Sequence, residues 1–255
     1  MTRLVSRRRF VQSGLAALAG PLVARCDFPT AGTSPVVRLS ARPGTPLVSP
    51  TLGLSALGIG TTRDGLLYVP TTYTGDTPLP LFVALHGAGG SAASWTSYQD
   101  RAEARGMVLL APESRRATWD LVLGALGPDV AFLNAALRHT FERCRIAPAR
   151  IALGGFSDGA SYALSLGVSN GDLFTHLAGY SPGFFAPSDP IVGKPRIYVS
   201  HGTLDAVLPV ATTRTVIVPR LRGARYDVTY QEFEGGHEVP AAITEAALDW
   251  FLAGA

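Results

Sequence analysis

The residues Gly155-Phe156-Ser157-Asp158-Gly159 place one serine between two glycines, each two positions away. A serine hydroxyl becomes a useful nucleophile at neutral pH only when a base within hydrogen-bond reach takes its proton. The G-x-S-x-G spacing meets a second requirement, exposure. It suits a sharp turn from a strand into a helix, where the serine oxygen stands above the sheet and flanking side chains would crowd. A glycine-rich turn with an ordinary capping serine would read the same way, so the flanking elements decide. An apolar run at 150–154 reads as a strand and Asp158–Val168 as a helix, the context that a nucleophile turn needs. Ser157 is therefore the candidate nucleophile.

The chain holds five histidines. His139 falls inside a helical pattern, and His176 stands near the start of a strand-like segment with no glycines beside it. His86 and His201 each end a strand and precede a glycine. His237 lies in Glu234-Gly235-Gly236-His237-Glu238, between the last strand and the last helix. On a nucleophile turn of this kind the order is serine, then acid, then histidine. His176, His201 and His237 all follow Ser157, but His237 alone sits in a final loop free to reach the turn. It is the candidate general base. Asp205 follows the strand at 196–200 through His201-Gly202-Thr203-Leu204. It is the candidate carboxylate that orients the imidazole and stabilises the imidazolium. Asp172 and Asp189 do not directly follow a strand, and Asp227 precedes one.

Acyl transfer also needs donors aimed at the developing oxyanion. The amide following the nucleophile, that of Asp158, is one candidate. The other is Ala88, in the loop His86-Gly87-Ala88-Gly89-Gly90 that directly follows the strand Leu79–Leu85. Glycine-rich loops also cradle phosphates, but neither G-x-x-x-x-G-K-[ST] nor G-x-G-x-x-G occurs here. Two aromatics are candidate substrate contacts. Trp119 follows a strand in the segment 113–120 and is placed to wall an acyl or alcohol site. Phe184, in Ser181-Pro182-Gly183-Phe184-Phe185, is placed to form an apolar lid. Loop packing is the alternative for both. With no large cap insertion, the expected pocket is shallow and open, suited to small or chain-end esters.

These residues need a frame. Short apolar runs at 65–70, Leu79–Leu85, 107–111, 150–154, 196–200 and Val228–Phe233 read as strands buried on both faces. Helical stretches lie between them, at 92–105, 129–143, Asp158–Val168, 210–221 and 239–252. In the second of these Val130, Leu133, Leu137 and Phe141 recur at spacings of three and four. Alternating strands and helices predict an α/β fold: a mainly parallel, doubly wound sheet flanked by helices, in a single domain over 56–255. In such sheets chemistry gathers at the carboxyl ends of strands, where Ser157, Asp205 and His237 all fall.

The rest of the chain is read by composition. With 47% hydrophobic and 16% charged residues it suits one globular domain. The formal charge of +3 is misleading. Residues 1–26 hold Arg3, Arg7, Arg8, Arg9 and Arg25 and no acid, so the remainder carries 17 basic against 19 acidic residues. No nucleic-acid partner is expected. Two cysteines, Cys26 and Cys144, without a Cys/His cluster, imply no metal site and at most one disulfide. Ser6-Arg7-Arg8-Arg9-Phe10 followed by a short apolar stretch reads as a secretory leader over 1–26. Its paired arginines resemble a twin-arginine export signal, which implies a periplasmic or extracellular protein. Val23-Ala24-Arg25-Cys26 resembles a lipoprotein processing box except at Arg25, so membrane attachment is expected only if Cys26 is lipidated. Residues 27–55, rich in Pro, Gly, Ser and Thr, read as a linker or irregular N-terminal arm.

Taken together, GGFSDGASYAL at 154–164, HGTLDAVLP at 201–209, the GGH at 235–237 and the HGAGG loop resemble the α/β-hydrolases. Within them the likeness is to the phospholipase/carboxylesterase group that includes the acyl-protein thioesterases. The chain is also similar to secreted polyhydroxybutyrate-depolymerase and feruloyl-esterase types. The resemblance runs from about Leu79 to the C-terminus. It implies a cofactor-free serine hydrolase of carboxylic esters, acting through an acyl-enzyme on a small-molecule or polymer-end ester. Asp158 stands where thioesterases usually carry glutamine, and Ala160 where they carry glycine. A serine peptidase of the prolyl-oligopeptidase type and a non-catalytic secreted binding protein of the same fold are the alternatives. The first lacks its propeller-like domain here, and the second has no need of a complete triad.

Overall fold

A computed structural model of the chain describes residues 37–124 and 126–253. The leader expected over 1–26, with Cys26, lies outside the described residues. Eight strands form one sheet: β1 (Gly53–Ala56), β2 (Gly65–Val69), β3 (Leu79–Leu85), β4 (Val108–Pro112), β5 (Ile146–Phe156), β6 (His176–Tyr180), β7 (Arg196–Gly202) and β8 (Val228–Phe233). Their spatial order is β1-β2-β4-β3-β5-β6-β7-β8. β1 and β2 pair antiparallel, as do β2 and β4, and every pair from β4 to β8 is parallel. The helices are α1 (Gln99–Ala104), α2 (Pro128–Phe141), α3 (Asp158–Val168), α4 (Val210–Thr212), α5 (Val218–Gly223) and α6 (Ala241–Leu252). A π turn, Thr213–Ile217, joins α4 to α5, and a 3-10 segment, Ala92–Tyr98, leads into α1.

Strand periodicity sorts the core into two layers. Leu81, Val83 and Leu85 of β3 face one side with Ile151 and Leu153 of β5, against Leu133 and Leu137 of α2 and Leu166 of α3. Phe82 and Ala84 face the other side with Ala152, Ala178 and Tyr198, against Ala102 of α1 and Ile243, Leu248 and Phe251 of α6. Because both faces are covered, the central strands read as continuous apolar runs rather than alternating ones. Small residues set the spacing on the second face. A Cβ on Gly154 would stand 2.6 Å from the Phe82 ring.

The sheet departs from the sequence expectation at three strands. β5 begins at Ile146 rather than 150, because its first residues pair only at Leu79↔Ile146 before a register shift. β6 completes the parallel run between β5 and β7. β1 lies inside the segment expected to be irregular, so the boundary expected at 56 falls within a strand. Its residues alternate half-buried and exposed, and backbone pairing to β2 holds it instead of an apolar face.

The residues before β1 form an arm tied down by polar groups. Asn170, fully buried, accepts from the Leu39 amide at 2.8 Å and donates to the carbonyls of Val37 (2.8 Å) and Leu166 (2.9 Å). Asn134 Oδ1 accepts from the amides of Ser40 and Ala41. Arg38 grips Asp172 with both terminal nitrogens, at 2.9 and 2.7 Å, and Arg42 adds a third contact at 2.6 Å. The hydrogen bond from Arg38 leads in holding the Asp172 carboxyl down to about 2. Its stabilisation is complete above the ordinary carboxylate pKa of about 4. That stabilisation is lost as pH falls from there through about 2. The salt bridges are partly exposed and weak, so the buried amide carries the attachment. Asn170→Ala should lower the unfolding free energy in urea by about 2–3 kcal/mol. It should also open residues 37–48 to limited proteolysis, and unchanged unfolding and cleavage would show that the arm is held elsewhere.

Candidate active site

Ser157 occupies the one-residue turn between β5 and α3, with φ 58° and ψ −118°, a region that side chains other than glycine rarely enter. Its amide donates to the Tyr180 carbonyl at 2.8 Å, and its carbonyl accepts from the amides of Ala160 and Ser161. The turn is therefore clamped on both sides. The two motif glycines serve different contacts. A Cβ on Gly155 would stand 2.4 Å from the Gly159 backbone, inside the turn itself. One on Gly159 would stand 2.4 Å from the Leu85 carbonyl and 2.5 Å from that of His86. The second glycine thus lets α3 press against the end of β3, where the His86–Gly90 loop begins.

His237 comes from the loop after β8. Its Nε2 lies 2.9 Å from Ser157 Oγ, and its Nδ1 lies 2.6 Å from Asp205 Oδ2. The Asp205 side chain is fully buried, and its Oδ1 accepts from the amides of Val207 (2.9 Å) and Leu208 (2.8 Å). Burial works to raise this carboxyl, but the hydrogen bonds from His237, Leu208 and Val207 together outweigh it and hold the group below its ordinary value. Asp205 thus stays ionised and acts only as an acceptor. With Asp205 accepting a hydrogen bond from Nδ1–H, Nε2 presents its lone pair to the serine hydroxyl. The three residues form one continuous hydrogen-bonded relay, as the order and spacing in the sequence imply.

The glycines around the histidine have a physical cause as well. The loop after β7 and the loop after β8 run against each other. Thr203 donates to the Phe233 carbonyl at 2.8 Å and Leu204 to that of Gly235 at 2.9 Å. A Cβ on Gly202 would stand 2.2 Å from the Gly236 carbonyl. Backbone contact between these loops fixes Asp205 relative to His237. Phe156, on the residue before the nucleophile, lays its ring 4.7 Å from the His237 ring. This packing has no signal in the motif, whose second position accepts any residue.

A Cβ on Gly87 would stand 3.3 Å from Ser157 Cβ, so the loop that carries Ala88 runs against the serine. Neither the Ala88 nor the Asp158 amide has a hydrogen-bond acceptor among the described residues. Asp158 opens α3, where the first amides have no partner within the helix. The loop carrying Ala88 is held from behind. Gly89 donates to the Ala117 carbonyl at 2.7 Å, and Arg63 donates to that of Gly90 at 2.8 Å. His86 is fully buried. Its Nε2 accepts from the Ser114 amide, so Nδ1 carries the hydrogen and donates to the Gly87 carbonyl at 2.7 Å. Burial lowers its pKa and keeps it neutral.

The two aromatic candidates separate. Trp119 is only 1% exposed and is not a pocket wall. Its indole lies between the rings of His86 and Tyr162, and Nε1 donates to the His86 carbonyl at 2.8 Å. The indole N–H needs an acceptor once buried, and the one it finds anchors the Ala88 loop. Phe184 is half-buried in a segment that Ser161 and Ser165 of α3 tie down, through the amides of Gly183, Phe184 and Ala186. Gly183 in the same segment packs against Leu208 beside Asp205. Sequence reasoning missed Thr118. Its hydroxyl donates to the Asp158 carboxylate at 2.6 Å, joining the nucleophile turn to a cleft of about 260 Å³. Arg116, Thr118, Asp120, Leu123 and Pro128 line that cleft. Among the described residues no group of three or more His, Cys, Asp and Glu side chains is placed to hold a metal. Cys144 is buried in the core with no disulfide partner among the described residues, its thiol pushed up to about 12 by burial.

No protein-family model matches the chain. Over 125 residues it is 30% identical to feruloyl esterase B of Thermothelomyces thermophilus, a match covering 45% of this chain and 42% of that protein. It is 28% identical over 158 residues to a probable feruloyl esterase C of Aspergillus clavatus, covering 58% and 56%. The chain thus spans about half the length of the curated relatives it matches. Among solved structures it is similar to the esterase PE8, with a TM-score of 0.60 at 22% identity over 78% of this chain and 98% of that one. The fold is that of the α/β-hydrolases.

The relay can be tested without a substrate. Asp205→Asn keeps the shape of the side chain but offers an amide where His237 needs an acceptor. The modification rate of Ser157 by a fluorophosphonate probe should fall on the order of 10³–10⁴-fold, with the thermal melt nearly unchanged. Labelling at the wild-type rate would show that Asp205 does not orient the imidazole.

Proposed function

We propose that the protein is a serine hydrolase of carboxylic esters, working through an acyl-enzyme without a cofactor. One observation carries the reading: a strained, clamped serine whose oxygen lies 2.9 Å from an imidazole that a buried carboxylate holds at 2.6 Å. The similarity to two feruloyl esterases and to a solved esterase supports it. In this mechanism Ser157 Oγ attacks the ester carbonyl while His237 Nε2 takes its proton. The carbonyl oxygen becomes an oxyanion received by the amides of Ala88 and Asp158, each donor lowering the barrier by about 2.7–4 kcal/mol. Collapse of the tetrahedral intermediate breaks the C–O bond, and His237 returns the proton to the departing alcohol. Water, activated by the same imidazole, then releases the acid.

The cleft beside Thr118 is the proposed seat of the acyl or alcohol group. The connection from β6 to β7 carries no helix, so the site stays open enough for a chain-end ester as well as a small one. Phenolic acyl esters of the feruloyl kind are the substrates to try first, because that is what the relatives' names carry. On its leader alone, we propose export by the twin-arginine route to the periplasm or beyond, with lipid attachment only if Cys26 is processed.

Purified protein and its Ser157→Ala variant would be assayed on p-nitrophenyl acetate, p-nitrophenyl butyrate and methyl ferulate. Wild type should turn over at least one of these. The variant should fall on the order of 10⁶-fold, to background. A variant as active as wild type would remove Ser157 from the mechanism. An inert wild type that also resists a fluorophosphonate would bring the binding-protein reading forward.

A further inference from the structure

A second histidine lies beside the relay. His201 is the last residue but one of β7, is fully buried, and lies four residues before Asp205. Its Nε2 stands 2.8 Å from the Leu208 carbonyl and 3.2 Å from Asp205 Oδ2, the same oxygen that receives His237. Its Nδ1 lies 2.8 Å from Thr213 Oγ1, which in turn reaches the Pro182 carbonyl at 3.2 Å. Thr213 is itself fully buried and opens the π turn; such turns recur at functional sites.

We propose that His201 is a positioning residue for the Asp205 carboxylate: a hydrogen carried on Nε2 bonds the Leu208 carbonyl, braces the 205–208 turn that holds Oδ1, and turns its positive end toward Oδ2. The argument rests on what each atom is able to do. A backbone carbonyl and an ionised carboxylate oxygen only accept. An unprotonated Nε2 would set its lone pair against both, so the hydrogen resides there, bonded to the Leu208 carbonyl with the carboxylate oxygen 3.2 Å from the same nitrogen. Asp205 accepts three hydrogen bonds, from Val207 and Leu208 on Oδ1 and from His237 on Oδ2, and the His201 N–H faces that same Oδ2. Rotation of the carboxylate would break all three bonds and carry Oδ2 away from the His201 N–H. With the hydrogen on Nε2, Nδ1 accepts the Thr213 hydroxyl hydrogen and the ring is fixed from its other nitrogen. Among the described residues His237 is the side chain that hydrogen-bonds Asp205.

This deepens the ester-hydrolase reading and rests on it for its kinetic consequence, but the protonation of Nε2 can be measured without any substrate. Full-length protein labelled with ¹⁵N-histidine would be examined by long-range ¹H–¹⁵N correlation, with His201 assigned from the spectrum of His201→Gln. Nε2 should appear protonated, with a slowly exchanging hydrogen. A bare Nε2 overturns the proposal, even if the protein never hydrolyses an ester. In the kinetic arm, His201→Phe keeps a planar ring without the donor, whereas the amide of His201→Gln restores an N–H at the position of Nε2. On p-nitrophenyl butyrate, kcat of the Phe variant should fall about 10–100-fold with KM within about twofold. The Gln variant should recover most of the loss. Equal kcat for folded Phe variant and wild type overturns the positioning role, as does a loss shared equally by Phe and Gln. Absence of turnover in wild type would instead fail the ester-hydrolase reading and leave the spectroscopic result to decide His201.

Discussion

Everything at the carboxyl edge of the sheet depends on one strained residue, Ser157 at φ 58°. Holding a residue that bears a side chain in such a region costs about 1–3 kcal/mol, and the turn persists because its surroundings over-determine it. β5 enters it from the middle of an eight-stranded sheet. α3 leaves it buried along nearly its whole length. The amide bonds to β6, and the carbonyl caps α3. Relaxing the turn would swing α3 away from β3 and break the approach of Gly159 to the Leu85 carbonyl. The strain that lifts Ser157 to the sheet edge and the packing that forms the core are thus the same contacts seen from two sides.

A second constraint follows from the first. The strands end in an apolar layer, yet the proposed chemistry there needs histidines, a carboxylate and free amides. Buried polar groups are tolerated only when paired, so each loop supplies partners to its neighbour. His86 takes the Ser114 amide and gives to Gly87. Trp119 gives to His86. Asp205 takes the amides of its own turn. The loops after β7 and β8 share backbone bonds. The amides of Ala88 and Asp158 are among the groups excepted from this pairing, as are the hydroxyls of Ser181 and Ser200, and the two amides suit donors kept for the transient charge of the proposed reaction. An unpaired donor at a sheet end otherwise costs stability without return.

How much of this was legible in the sequence depends on whether chemistry or geometry imposed the residue. Ser157, Asp205 and His237 were readable because spacing, strand ends and chain order each restrict the choice, and the structure brings all three together. The glycines at 155, 159, 202 and 235 were readable as turns. That Gly159 and Gly202 serve backbone approach between distant segments was not. β1 was hidden because an edge strand needs no apolar face. Trp119 was misassigned as a pocket wall because position after a strand says which end of the sheet a residue occupies, not whether it points out or in. His201 was passed over as a base for a sound reason, its place directly at a strand end. That same reason puts it beside Asp205, where it meets the carboxylate instead of the serine. Thr118 had no signal at all, since its partner Asp158 is adjacent only in space.

The division between rigid and adaptable parts bears on substrate choice. Ser157, Asp205 and His237 hang from strand ends and from backbone-zipped loops, so their separations are set by the sheet. Thr118, Arg116 and Phe184 belong to the segments 113–124 and 181–186. These are fastened at chosen points, among them Asp129 to the Asp120 amide, Thr118 to Asp158, Trp119 to the His86 carbonyl, the Ala117 carbonyl to Gly89, and Ser161 and Ser165 to the amides after β6. Such ties fix where a segment begins and ends while leaving its outward side chains free of the core. Residues lining the cleft can therefore change size or charge without moving the relay. Those that anchor the segments cannot, since each holds a group that would otherwise be buried unpaired. On this argument the acyl preference of the proposed enzyme resides in residues such as Arg116, Leu123 and Phe184. Its capacity for the reaction resides in the sheet.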